Sequence, residues 1–149
     1  MTSLPLAAPE IKRLVADVET VADDGTFVGH ASLFGIEDLA HDVVEPGAFR
    51  ASLAARGTAG VKMLWHHDPA EPIGRWLELR EDARGLFVRG RLLADVARGR
   101  EALALMRAGV LDGLSIGFRT VRGRRNAKTG IRRLAEIDLW EISLVTFPM

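Results

Sequence analysis

Apolar and polar residues alternate with a period of two along most of this chain, and the longer period of a helix surfaces at two places. Ile11 to Val21 largely alternates apolar and polar positions, with Leu14, Ala16 and Val18 on one side, as in a half-buried strand. Asp23-Asp24-Gly25 then supplies a turn into a second strand, Thr26 to Phe34, and the two predict a hairpin. Gly35 to Glu45 reads as a polar loop. Pro46-Gly47 leads into a short helix from Ala48 to Arg56, closed by Gly57. Val61 to Trp65 is an apolar run of strand length that stops at His66-His67-Asp68-Pro69, where the proline is expected to end the ladder. Pro72 to Leu79 and Gly85 to Leu93 predict two more strands around the charged turn Arg80 to Arg84. Val96 to Ala108 is the clearest helix, with Leu103 and Met106, and Leu105 and Ala108, at helical spacing and Gly109 as its stop.

After that helix come an apolar strand around Ser115, a basic connection from Arg122 to Gly130, and Ile131 to Val145, long enough for one bent strand or two short ones. About seven strands, many joined by short turns, and two helices predict an α+β fold: a mainly antiparallel barrel or folded sheet with helices packed outside. Residues 1–10, with two prolines and small residues, predict a loose arm, and 11–149 a single domain.

Composition narrows the classes of function. In 149 residues, 48% hydrophobic and 27% charged, Lys+Arg and Asp+Glu are equal at 20 each, so neither disorder nor a globally basic nucleic-acid binder is indicated. The chain has no cysteine, which removes disulfides, thiolate metal sites and cysteine nucleophiles together. No apolar run reaches the ~18 residues of a membrane span, and Met1-Thr2-Ser3-Leu4-Pro5-Leu6 lacks the basic start of a signal peptide, so a cytoplasmic protein is expected.

Candidate chemistry gathers on few residues. Gly113-Leu114-Ser115-Ile116-Gly117 matches G-x-S-x-G by the letter, but a nucleophile elbow needs a helix and a histidine after the serine, whereas all four histidines precede it and a strand follows. On the motif alone the plain reading is a buried strand serine between glycines that let two backbones approach. A serine nucleophile needs a base, and the base needs an orienting group. His67 can be that base. If the strand ran on through His66 and His67 they would point to opposite faces, so only one could serve Ser115. Glu141 is a carboxylate inside an apolar strand: either it has a partner, or it faces solvent from an edge strand. His30, His41, His66, His67, Asp38, Asp42 and Asp68 offer metal ligands, but at no compact motif spacing, and scattered surface groups explain them better. Arg119, Arg122, Arg124, Arg125, Lys128, Arg132 and Arg133 form the one charge run, which could hold phosphates or an acidic protein but reads better as a solvated hairpin end, because no aromatics interleave for stacking on bases. No phosphate loop appears, and no cofactor or metal is expected.

Taken in order, Gly29-His30-Ala31-Ser32-Leu33-Phe34-Gly35, Val44-Glu45-Pro46-Gly47-Ala48-Phe49, Leu64-Trp65-His66-His67-Asp68, Pro72-Ile73-Gly74, Gly85-Leu86, the stretch Gly109 to Phe118 and Glu141-Ile142-Ser143-Leu144-Val145 resemble the prohead maturation proteases of tailed bacteriophages and of phage-derived gene transfer particles. The likeness runs from about Val15 to Pro148. It implies a β-barrel ringed by helices, similar to the herpesvirus assembly protease. It also implies a serine endopeptidase that cuts scaffolding and capsid-protein segments, and itself, inside the procapsid. The family's histidine stands just before an aspartate and falls on His67, its serine on Ser115, and its third member, on a later strand, on Glu141. Family members usually continue past the position of Met149, so the expectation is either a trimmed domain or an oxyanion hole built from elsewhere in the chain. Capsid and scaffold partners and a homo-oligomer are implied. The competing expectations are a non-catalytic internal scaffold of the same fold and a metal-dependent hydrolase using the histidines.

Overall fold

In the computed structural model, which describes residues 10–11 and 16–147, the alternation becomes nine strands among the described residues. They are β1 (Glu10–Ile11), β2 (Ala16–Val21), β3 (Thr26–Leu33), β4 (Asp42–Val44), β5 (Lys62–Trp65), β6 (Asp68–Glu81), β7 (Gly85–Leu92), β8 (Gly113–Arg125) and β9 (Arg132–Val145). The helices are α1 (Arg50–Arg56) and α2 (Ala97–Arg107). Apart from Glu10, the expected arm at residues 1–10 lies outside the described residues.

Pairing runs β8, β2, β3, β7, β6, β5, β9 and returns to β8, so seven strands curl into a half-barrel, with β1 and β4 added on β8 and β9. The flanks meet at a narrow seam, Ala16 opposite Leu114 and Asp17 opposite Gly113. Most neighbours are antiparallel, as short turns require. The exceptions run parallel to β9: β4 beside Arg132–Leu134 and β5 beside Glu141–Leu144. Because β8 takes the opposite edge of β9 along its length, β4 and β5 follow one another on the same edge, with α1 between them in sequence.

Three local expectations give way. β4 lies within the stretch read as a polar loop; its Asp42 is buried, and Arg132 donates to both carboxylate oxygens at 2.8 and 2.9 Å. Pro69 does not end a ladder: it lies inside β6, which bulges between the pairs Trp65–Asp68 and Leu64–Pro72, a place where a missing N–H costs nothing. Arg122 to Arg125 belong to β8, and the basic connection shrinks to a turn in which the Asn126 side chain accepts the N–H groups of Lys128 and Thr129.

One face of the sheet carries Phe27, Met63, Trp76, Leu86, Ile116, Phe118, Leu139 and Ile142 into the core, joined by Phe49 from just before α1 and by Ala102 and Met106 from α2. Burial of each large side chain contributes about 1.5–3 kcal/mol, and Phe27 meets Trp76 edge to face at 5.6 Å.

β9 does not alternate without interruption. Leu139 and Ile142 both face the core, and pairing passes from Gly117–Glu141 to Phe118–Leu139, leaving Trp140 as the extra residue of a bulge. Helix α1 holds this bulge. Ser52 Oγ accepts the Leu139 N–H at 2.8 Å, Arg56 donates Nε and Nη2 to the two Asp138 oxygens at 2.8 and 2.9 Å, and Trp140 Nε1 donates to Asp138 at 2.9 Å. The start of α1 lacks a side-chain cap of its own; the Glu81 carboxylate accepts the N–H groups of Gly47 and Phe49 at 2.7 and 2.9 Å in its place.

Arg56 holds the Asp138 carboxyl down at about 2, from an ordinary 3.8. Since the folded-state value is the lower one, this pairing stabilises the fold fully above the ordinary value, and the contribution is lost as pH falls toward 2. Asp138→Asn is expected to be less stable than the parent by roughly 1–2 kcal/mol at neutral pH, a charged hydrogen bond discounted for partial exposure. Urea unfolding of both proteins should show that gap closing on acidification; a gap undiminished in acid contradicts the assignment.

Candidate active site

Strand register decides which side chains can meet. Ile116 lies opposite Ile142, and Ile142 beside Met63, all three in the core. One residue away, and so on the other face, Ser115 lies opposite Ser143, which sits beside Leu64; Gly117 lies opposite Glu141, beside Lys62. The sheet alone therefore gathers Ser115, Ser143 and Glu141 on its outer face. Ser115 stands on a straight strand, not on an elbow.

His67 reaches that face from the β5–β6 turn. Trp65 pairs with Asp68, leaving His66 and His67 as a two-residue hairpin with φ of 48° and 62°. Such a turn needs positive φ at both central positions, where Asn-Gly is the unstrained solution. Left-handed backbone at residues with a Cβ costs of order 1–3 kcal/mol each and persists only where the surroundings enforce it. Here the His66 N–H donates to the Leu144 carbonyl at 3.1 Å and the His67 N–H to Ser143 Oγ at 2.9 Å. The Trp65 ring stands edge-on to His66 at 4.6 Å, and Arg98 of α2 lies over Trp65 at 5.0 Å. The turn reverses what alternation would give: carried on from Met63, the strand's phase would put His66 on the outer face and His67 on the core side.

His67 Nε2 lies 2.9 Å from Ser115 Oγ, Nδ1 hydrogen-bonds Glu141 Oε1, and the Ser143 hydroxyl donates to Glu141 Oε2 at 2.6 Å. A carboxylate only accepts, so Nδ1 carries the imidazole proton, and Nε2 is left to accept the Ser115 hydroxyl. The His67 and Glu141 side chains are only 16% and 13% exposed, which shelters their hydrogen bond from competing water. Gly117 makes room for this: a Cβ there would stand 2.3 Å from Glu141 Oε1. The arrangement can take a proton from Ser115 and hold the resulting imidazolium.

His66 stands apart from this chain of bonds; burial, the neighbouring His67 and then Arg98 push its imidazole below the ordinary 6.5. His30 bonds Glu19 at 3.1 Å and Asp82 at 2.7 Å, His41 bonds Glu37 at 2.8 Å, and the Asp38 carboxylate accepts the N–H groups of Ala40 and Asp42. Among the described residues no three His, Asp or Glu side chains are arranged to hold a metal ion. Arg119 stands in mid-strand opposite Asp138, and the rest of the basic run lies at the far end of the β8–β9 hairpin from Ser115, where Arg122, Arg124, Arg133 and Glu45 line a cleft of about 440 Å³. Sequence reasoning passed over Ser143, although its place two residues after Glu141 on one strand puts both on one face.

The profile of a family described as Caudovirus prohead serine protease matches residues 13–149. The chain is 35% identical over 148 residues to the prohead protease of Enterobacteria phage HK97, covering 94% of this chain and 65% of that protein. It is 28% identical over 113 residues to the prohead protease of Escherichia phage T5, covering 75% and 53%. The chain thus spans between half and two thirds of the length of these relatives. Its fold is similar to that of the bacteriophage T4 capsid assembly protease, with a TM-score of 0.63 at 12% identity over 93% of this chain and 94% of that one.

The left-handed turn makes its own prediction. His66→Asn, which tolerates positive φ, should be at least as stable as the parent in urea. His66→Val, β-branched at φ 48°, should lose roughly 1–3 kcal/mol. Equal midpoints for the two variants contradict a strained turn.

Proposed function

The chain belongs to the caudovirus prohead serine protease family, and on that footing we propose that it is a serine endopeptidase cutting scaffolding and capsid-protein segments, and itself, inside the procapsid. The observation that carries the reading is the 2.9 Å contact of Ser115 Oγ with His67 Nε2, with Glu141 on the other ring nitrogen. As Ser115 Oγ bonds to the scissile carbonyl carbon, its proton passes to Nε2. Glu141 holds the ring in the tautomer that can receive it and stabilises the imidazolium formed. The imidazolium then gives the proton to the leaving amine; a water, deprotonated by the same nitrogen, bonds to the acyl carbon, and Ser115 Oγ leaves, taking the proton back from Nε2. A base placed this way contributes roughly 10²–10⁴-fold.

A non-catalytic scaffold of the same fold is the rival reading. Backbone strain favours the enzyme: the left-handed hairpin would be unstrained with Asn-Gly and is costly for two histidines, and strain of this kind clusters at functional sites. Residues 11–149 act, in this proposal, as one catalytic domain.

Co-expression with the capsid protein of the particle it assembles tests the proposal. Ser115→Ala should fold as the parent does and leave the capsid protein uncut. Glu141→Gln should also fold but lower turnover roughly 10²–10⁴-fold, because an amide can favour the wrong imidazole tautomer. Cleavage by folded Ser115→Ala at the parent's rate rules out Ser115 as nucleophile.

A further inference from the structure

We propose that Ser143 is a positioning residue of this site, fixing the base and its orienting carboxylate with one hydroxyl; the inference rests on the reading of Ser115, His67 and Glu141 as catalytic. Ser143 is fully buried and lies directly opposite Ser115 across β8 and β9. A serine hydroxyl has one hydrogen to give and lone pairs to accept with. Ser143 uses both: it accepts the backbone N–H of His67 at 2.9 Å and donates to Glu141 Oε2 at 2.6 Å.

Each bond answers a definite freedom. Glu141 has three side-chain torsions, and its contact with His67 engages one carboxylate oxygen; the Ser143 hydroxyl engages the other, so the carboxylate plane is fixed as well as its position. His67 sits at φ 62°, a conformation that must be enforced from outside. Its N–H needs a partner, and Ser143 supplies it. Because Ser143 shares a register pair with Ser115, the point that anchors the base is set by the same ladder that sets the nucleophile. Its two hydrogen bonds run to the His67 backbone and to Glu141, so the effect of Ser143 passes through them. Outer groups of this kind are worth roughly 10–100-fold at other sites that depend on an oriented imidazole.

The test uses the 149-residue chain and p-nitrophenyl acetate, with every rate taken net of the Ser115→Ala protein. In the reaction followed, Ser115 Oγ bonds to the acetyl carbon, p-nitrophenolate leaves, and water returns acetate and the free hydroxyl. Ser143→Ala should lower kcat about 10–100-fold with KM little changed, and Ser143→Thr, which keeps the hydroxyl, should recover most of the loss. In a Glu141→Gln background Ser143→Ala should cost several-fold less than in the parent, because the path through the carboxylate is already broken. If Ser143→Ala does not fold, Ser143→Cys, similar in size with a weaker donor and acceptor, should show the same loss of kcat. A folded Ser143→Ala or Ser143→Cys protein with the parent's kcat, or an equal loss in both backgrounds, overturns the role of Ser143 alone. Ester hydrolysis by Ser115→Ala as fast as by the parent overturns the catalytic reading and this inference with it.

Discussion

The left-handed hairpin of His66 and His67 is the constraint around which the site is built. A strand cannot deliver a side chain backward over its own sheet; a two-residue turn with both φ positive can, and it brings the His67 ring over the face that holds Ser115. The conformation is costly for residues with a Cβ, so it has to be held. Hydrogen bonds from both turn amides to β9, and Trp65 edge-on against His66 with Arg98 over its ring, hold it.

Everything on the other side of the site depends on β9. Its first half lies beside β4 and its second beside β5, and the bulge at Trp140 changes its phase between them. Without that extra residue Leu139 and Ile142 could not both reach the core, and Glu141 would not share a face with Ser143 and Ser115. Helix α1 secures the bulge through Ser52 and Arg56, and is itself secured by Glu81 at its start. A helix well away from the serine thus helps set the orientation of the carboxylate that faces His67.

Much of this was legible in the sequence, and the failures have physical reasons. Period-two patterning located β3, β5, β7 and the strand of Ser115, because those segments bury one face. It missed β4, whose Asp42 enters a strand only because Arg132, 90 residues later, neutralises it. Alternation also could not choose between His66 and His67: the choice lies in two backbone angles, and His-His is not a pair that propensity assigns to a left-handed turn. The assignment of His67 came from the resemblance, through the aspartate after it. Glu141 was legible as a carboxylate in need of a partner, whereas Ser143, a small polar residue in an apolar strand, gave no signal until the register brought it under His67.

In the proposed mechanism Ser115 is reactive only through the folded arrangement of β5, β8 and β9. Treating the native protein with a fluorophosphonate and mapping the adduct by mass spectrometry tests this most directly. One adduct is expected, on Ser115, absent from the urea-unfolded protein and from folded His67→Ala. An adduct on another serine, or Ser115 labelled equally well in folded His67→Ala, would contradict it.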